Sequence, residues 1–180
     1  AGDAGGAIGA ALAVWYQELK NPRKICDDDS MKGSYLGPEY SNPVIKESLE
    51  KIGANFELVN ENEAIKFTSE SLSNEKIVGW FNGKMEFGPR ALGARSILAN
   101  PQSRHMQRTL NMKIKFRENF RPFAPSILRK DLNKWFDIDV DSPYMLFVAE
   151  VLAEHRTPLS EKENKLKGLE KLNIPRTSIP

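Results

Sequence analysis

One cysteine, two histidines and no long apolar run close off several common chemistries in this 180-residue sequence. Cys26 has no partner, so an intrachain disulfide is excluded and a reducing, cytoplasmic setting is expected. His105 and His155 stand far apart and outside any metal-ligand spacing, so each reads as an ordinary polar or core histidine. No apolar stretch approaches the ~20 residues of a membrane helix, and no signal-peptide pattern opens the chain, so no membrane partner is expected. The Gly-Lys-Ser/Thr order of a P-loop is missing. A net charge of +2 argues against general nucleic-acid binding. An initial methionine is missing too: Ala1 leads straight into a helical pattern, as expected of a fragment.

What is present is an ordinary globular composition, 40% hydrophobic and 28% charged, long enough for about one domain plus extras. The charge is unevenly spread. Between Lys84 and Arg121 nine Lys or Arg face two acids, while the rest of the chain holds 17 basic and 22 acidic residues. Positive charge gathered into one stretch is what a focused anion site requires.

Periodicity predicts a first helix over 7–19, with Ile8, Leu12, Trp15 and Leu19 on one face. Residues 20–42, with Pro22, Asp27-Asp28-Asp29, Gly33, Gly37 and Pro38, read as a linker. Asn42-Pro43 opens a second helix with Asn42 as cap, and Gly53 closes it. Phe56 and Leu58 alternate as a short strand, and 61–72 reads as a helix. A buried strand over 77–81 ends in the Asn82-Gly83 turn. Strands are expected over 96–99, 123–128 and 144–152, with a helix capped by Ser103 and a short helix over 130–136. A charged helix with a Ser160/Glu163 capping box is expected over 159–172. The interleaving predicts an α/β fold with a twisted, mixed sheet and flanking helices.

Two segments carry the chemistry. In Gly83-Lys84-Met85-Glu86-Phe87-Gly88-Pro89-Arg90-Ala91-Leu92-Gly93-Ala94-Arg95-Ser96, glycines let backbone N–H groups approach an oxyanion, and arginine forks add bidentate bonds. A solvated surface hairpin has the same composition. In Lys113-Ile114-Lys115-Phe116-Arg117-Glu118-Asn119-Phe120-Arg121-Pro122-Phe123-Ala124-Pro125, an extended backbone puts Lys113, Lys115 and Arg117 on one face and Ile114 and Phe116 on the other. That suits a phosphate site, aromatic stacking on RNA bases, or an edge strand shielded by its lysines.

Taken together, these segments closely resemble the carboxy-terminal domain of NodU/CmcH-type carbamoyltransferases, enzymes that modify nodulation factors and antibiotics. Tyr35-Leu36-Gly37-Pro38-Glu39-Tyr40-Ser41 matches the entry to that domain, and Ser142-Pro143-Tyr144-Met145 a later part. The resemblance implies a YrdC-like domain, which makes carbamoyl-adenylate from carbamoyl phosphate and ATP. It also implies an upstream actin-like ATPase domain (Kae1-like) with a bound metal, Fe or Mg, which passes the carbamoyl group to a hydroxyl. On this basis 1–19 is the terminal helix of the upstream domain, 20–42 a linker and 43–180 the YrdC-like part, cut short before its closing His-Val-Asp-Gly-Thr-Ala-Arg-like motif. Asp3 resembles that upstream domain's metal ligand, without its histidine partners. The chain alone is therefore expected not to complete transfer.

Carbamoyl phosphate and ATP bring several negative charges together, and cations must hold them in line. Arg90, Lys115 and Arg117 are the candidates for catalytic cations. Lys84, Gly88, Arg95, Ser96 and Arg121 are the candidates for binding the phosphates. Glu86 and Glu118 are expected to orient arginines rather than act as acid or base, and Phe87 and Phe120 to pack. An RNA-binding module using the same basic face is the alternative.

Overall fold

The computed structural model describes residues 2–168, 170, 174, 176 and 177, with side chains from Gly5 onward. The chain divides into two compact units. One takes the chain up to Phe67 with Gly79–Leu98 and Pro143–Leu146; the other takes Thr68–Val78, Ala99–Ser142 and the chain from Phe147 on. Helices and one small antiparallel sheet make the fold α/β, but the wide mixed sheet is absent among the described residues.

In the first unit, α1 (Gly2–Ala13) runs on as a wider turn over Val14–Glu18. The helix forms where its periodicity places it, yet Leu12, Trp15 and Leu19 are exposed. Residues 20–42 hold only a short 3-10 turn at Lys32–Ser34. Asp29 ties that turn together: its carboxylate accepts from the N–H groups of Met31 and Gly33 and from the Tyr144 hydroxyl. The Tyr144 bond, then the two N–H groups, hold Asp29 below the ordinary carboxylate range, and Asp29 in turn raises Tyr144. Helix α2 (Asn42–Lys51) carries Pro43 in its first turn, but its cap position is Ser41, not Asn42, and no side chain caps it. Gly53 closes the helix at φ +65°, a conformation glycine adopts without strain. Phe56 and Leu58 form no strand, since nothing pairs with them and Leu58 lies in solvent.

Helix α3 (Glu61–Ser73) starts at a reciprocal cap in which Asn60 Oδ1 accepts from Glu63 N–H and Glu63 Oε2 from Asn60 N–H. Its last turns and Val78 belong to the second unit. Strands β1 (Val78–Phe81) and β2 (Arg95–Leu98) form the sheet, joined through the Gly83–Ala94 turn.

In the second unit α4 (Met106–Thr109) continues as a π-type turn, Leu110–Ile114. Ser103 does not cap it with its side chain; its carbonyl accepts from Met106 N–H instead. Lys113–Arg117 is therefore not a strand. Met106, Leu110 and Ile114 also recur every four residues, and the helical period prevails because Met106 and Leu110 are buried. Residues 123–128 form no ladder: Pro125 withholds a donor within the stretch, and Pro122 another just before it. Residues 130–136 form a 3-10 turn, Arg129–Asp131, followed by α5 (Leu132–Trp135). The strand expected over 144–152 reduces to one antiparallel bridge, Phe136 to Val151. Leu146, Phe147 and Val148 have no neighbouring strand, and Val148 is 99% exposed. Helix α6 (Glu161–Lys165) has the Ser160/Glu163 capping box, but Leu166 already turns extended; Leu169 and Lys171–Asn173 lie outside the described residues.

Burial is concentrated. Among the described residues the buried apolar side chains are Ala94, Met106 and Leu110, and the buried polar ones Ser34, Ser71, Glu86, Ser103 and Asn111. All but Ser34 and Ser71 lie between Lys84 and Arg121, the stretch where the positive charge gathers.

Candidate anion site

The Gly83–Ala94 turn is built around one carboxylate. Glu86 is buried, and its Oε1 accepts from the backbone N–H groups of Leu92 (2.9 Å), Ala94 (2.7 Å) and Arg95 (3.1 Å). Burial pushes its carboxyl up, but the N–H groups of Leu92, Glu86 itself, Arg95 and Ala94 outweigh that, so it titrates below the ordinary carboxylate range. Gly88 (φ +117°) and Gly93 (φ +112°) bend the chain back on itself through a region that only glycine visits freely. Gly93 N–H donates to Ser96 Oγ, and the Tyr35 hydroxyl donates to Leu92 O at 2.6 Å. Residues 34–38 are stitched to the same turn. Phe87 N–H donates to Ser34 O, Gly37 N–H to Met85 O and Met85 N–H to Pro38 O, and a Cβ on Gly37 would meet Met85 O at 2.8 Å.

The turn thus has an internal anion where a ligand oxyanion was expected. Glu86 orients backbone donors rather than an arginine. Arg95 is also engaged: its terminal nitrogens donate to Asn82 O, Gly83 O and Ala94 O, and its guanidinium lies 3.4 Å from the Phe81 ring centroid. Among the described residues the side chains of Lys84 and Arg90 carry no hydrogen bond or ion pair. Lys84 also lines a shallow cleft of about 340 Å³ with Tyr35, Glu39, Asn82, Gly83 and Gly93.

The second segment is organised by Asn111, which is completely buried. Its Nδ2 donates to Asn119 O (3.1 Å) and Arg121 O (2.8 Å), and its Oδ1 accepts from Arg117 Nε at 2.6 Å. Gln107, one helical turn earlier, donates to Phe120 O and Arg121 O. The Arg117 guanidinium lies 4.8 Å from the Phe123 ring centroid, and its backbone N–H donates to Asn111 O. Glu118 pairs with Arg121 at 3.1 Å, the orienting role expected of it, in solvent. Phe116 is 85% exposed at φ +49°, a backbone conformation that bulky residues rarely adopt. The cation candidates divide between the units: Lys84, Arg90 and Arg95 in the first, Lys115, Arg117 and Arg121 in the second.

Gln107 and Asn111 escaped the sequence reading. Their spacing of four on a helix that also carries Met106 and Leu110 was the available signal; an amide on a buried face needs partners. His155 stacks on Trp135 with ring centroids 4.1 Å apart, and its Nε2 meets Lys134 O, a structural arrangement. Among the described residues no three His, Cys, Asp or Glu side chains gather to hold a metal, and the Asp3 side chain lies outside the description.

Residues 69–164 match the carbamoyltransferase C-terminus family, a range that includes both segments. The chain belongs to that family. It is 49% identical over its whole length to the uncharacterized protein sll1178 of Synechocystis, covering 30% of that protein. It is 34% identical to the nodulation protein NolNO of Sinorhizobium fredii, over 87% of this chain and 23% of the relative. It is 42% identical to the 3'-hydroxymethylcephem-O-carbamoyltransferase of Streptomyces clavuligerus, over 48% of this chain and 16% of the relative. The chain thus spans less than a third of each of these relatives. No helix among the described residues is long and apolar enough to cross a membrane.

Proposed function

We propose that this chain is the part of an O-carbamoyltransferase that binds carbamoyl phosphate and ATP and forms carbamoyl-adenylate. Water first splits carbamoyl phosphate into carbamate and phosphate; a carbamate oxygen then attacks the α-phosphorus of ATP and displaces pyrophosphate. The observation that carries the reading is Arg117. Its Nε is anchored on a buried amide, while no group among the described residues accepts from its two terminal nitrogens. A guanidinium held by one edge presents the other as a preorganised fork for a phosphate or carboxylate oxygen pair. Lys115, without a side-chain partner, adds a mobile charge beside it, and Arg121 follows on the backbone that Asn111 clamps.

These cations hold the phosphates and offset charge developing on the leaving oxygens. Lys84 and Arg90 are unpaired cations of the first unit, on the turn that Arg95, Ser96 and Gly88 shape. Delivery to an acceptor hydroxyl falls to an upstream domain of the whole protein, so the chain by itself does not complete transfer. The name of the Streptomyces relative, an O-carbamoyltransferase, supports a hydroxyl acceptor.

Titration of the purified chain with carbamoyl phosphate, ATP and a short RNA at two salt concentrations tests the reading. Saturable binding of carbamoyl phosphate, abolished or weakened in Arg117→Ala, is expected. RNA binding that falls steeply with salt, without a saturable small-ligand site, would assign the basic face to nucleic acid instead.

A further inference from the structure

We infer that Asn111 is a positioning residue for anion binding, acting through Arg117; the inference rests on the anion reading above. Asn111 is completely buried and uses three of the four hydrogen bonds an amide can make. Its two halves have different jobs. The Nδ2 donors pin the carbonyls of Asn119 and Arg121, which sets the course of the backbone after Arg117. The Oδ1 acceptor takes the Arg117 Nε–H at 2.6 Å, a short bond strengthened by the guanidinium charge.

Arg117 is held from three further directions: its N–H meets Asn111 O, its guanidinium lies over Phe123, and the preceding Phe116 adopts a left-handed backbone. A guanidinium on a flexible stem samples many rotamers, and ordering it costs free energy at the moment of binding. Asn111 removes that cost beforehand. It also dictates which edge faces outward, because Nε is taken and the Nη pair is left. Asn111 shares the buried side with Leu110 at the start of the π-type turn Leu110–Ile114, which ends two residues before Phe116.

The experiment measures carbamoyl phosphate affinity by calorimetry for the full chain and for Asn111→Ala, Arg117→Ala and the double variant. Arg117→Ala is expected to weaken binding about 10–100-fold, the range for a hydrogen-bonded charge. Asn111→Ala is expected to weaken it about 5–10-fold, and the double variant to bind no more weakly than Arg117→Ala alone. Multiplicative losses in the double variant, or unchanged affinity in Asn111→Ala, would overturn the inference while leaving the anion reading intact. Unchanged affinity in Arg117→Ala would overturn both.

A ligand-independent measurement guards against a variant that does not fold. In the unaltered chain the Arg117 Nε–H resonance, identified by its loss in Arg117→Lys, is expected to exchange with water more slowly than those of exposed arginines. Exchange as fast as theirs sinks the positioning role.

Discussion

The two cation-rich segments have similar compositions and opposite economies of hydrogen bonding. In the turn before β2 the donors are consumed internally. Glu86 takes three backbone N–H groups, and Arg95 gives its terminal nitrogens to three carbonyls. In the segment after α4 the buried group is a neutral amide that grips backbone carbonyls and only the inner edge of Arg117. The difference lies in what is buried at the centre. A buried carboxylate recruits backbone donors to offset its desolvation, so the N–H groups of Leu92, Ala94 and Arg95 are not left for a ligand, although Lys84 and Arg90 on the same turn stay unpaired. A buried amide is satisfied by three bonds and leaves the cation's charge uncompensated, ready for an anion.

The most damaging test of this contrast is Glu86→Ala. One buried and two half-buried N–H groups lose their acceptor, and a loss of about 2–3 kcal/mol in urea unfolding is expected. A loss below about 1 kcal/mol would mean the carboxylate does not organise the turn. The same group sets an acid dependence. Because its folded pKa lies below its unfolded value, its stabilisation is complete above about 4.3 and fades as pH falls through the folded value. Glu86→Gln should flatten that acid limb, and an unchanged profile would count against it.

Next in size is Arg117→Ala, which should cost about 1.5–3 kcal/mol of carbamoyl phosphate binding and, by leaving the buried Asn111 Oδ1 without its donor, about 1–3 kcal/mol of stability. Arg117→Lys keeps the charge but loses the fork, so it should also bind more weakly. Equal affinity for the lysine variant would reduce the site to a point charge.

Arg95→Ala should act on stability alone, lowering it by about 1–2 kcal/mol through its lost carbonyl and Phe81 contacts. Its effect on ligand affinity should be small. If Arg95→Ala removes binding and spares stability, the contrast between the segments collapses.

The smallest effect belongs to Glu118→Ala. Its ion pair with Arg121 is exposed on both sides, and such pairs contribute about 0–1 kcal/mol. Thermal unfolding should shift by a degree or two at most, and a larger shift would show a buried role that the exposure denies.

Much of the local structure was legible. Helices α2 and α3 follow from apolar spacing and from the punctuation of Pro43 and Gly53, and the capping box of α6 from Ser160 and Glu163. The β1 strand follows from a β-branched and aromatic run, whereas Asn82-Gly83 does not make the tight hairpin turn its composition suggests: Asn82 N–H still pairs with Ala94 O, and residues 83–94 form the connection. The misread elements share a cause. Lys113 and Ile114 continue the helical period of the buried Met106 and Leu110, and the positive φ of Phe116 breaks extended backbone after them, so the two-residue alternation of 113–117 is not realised. Residues 144–152 have strand composition, but a strand exists only with a neighbour, and composition does not supply one.

The order of residues by itself determined where the positive charge gathers, which glycines bend the turn and which family the chain resembles, because charge and backbone permissiveness are properties of residues taken singly. Only the tertiary structure decided which cations are occupied and which are free. That choice depends on Glu86 and Asn111, whose partners lie six to ten residues away and whose burial makes satisfaction obligatory. Hydrogen-bond partnership in a buried place is a property of pairs brought together by folding, and no residue carries it alone.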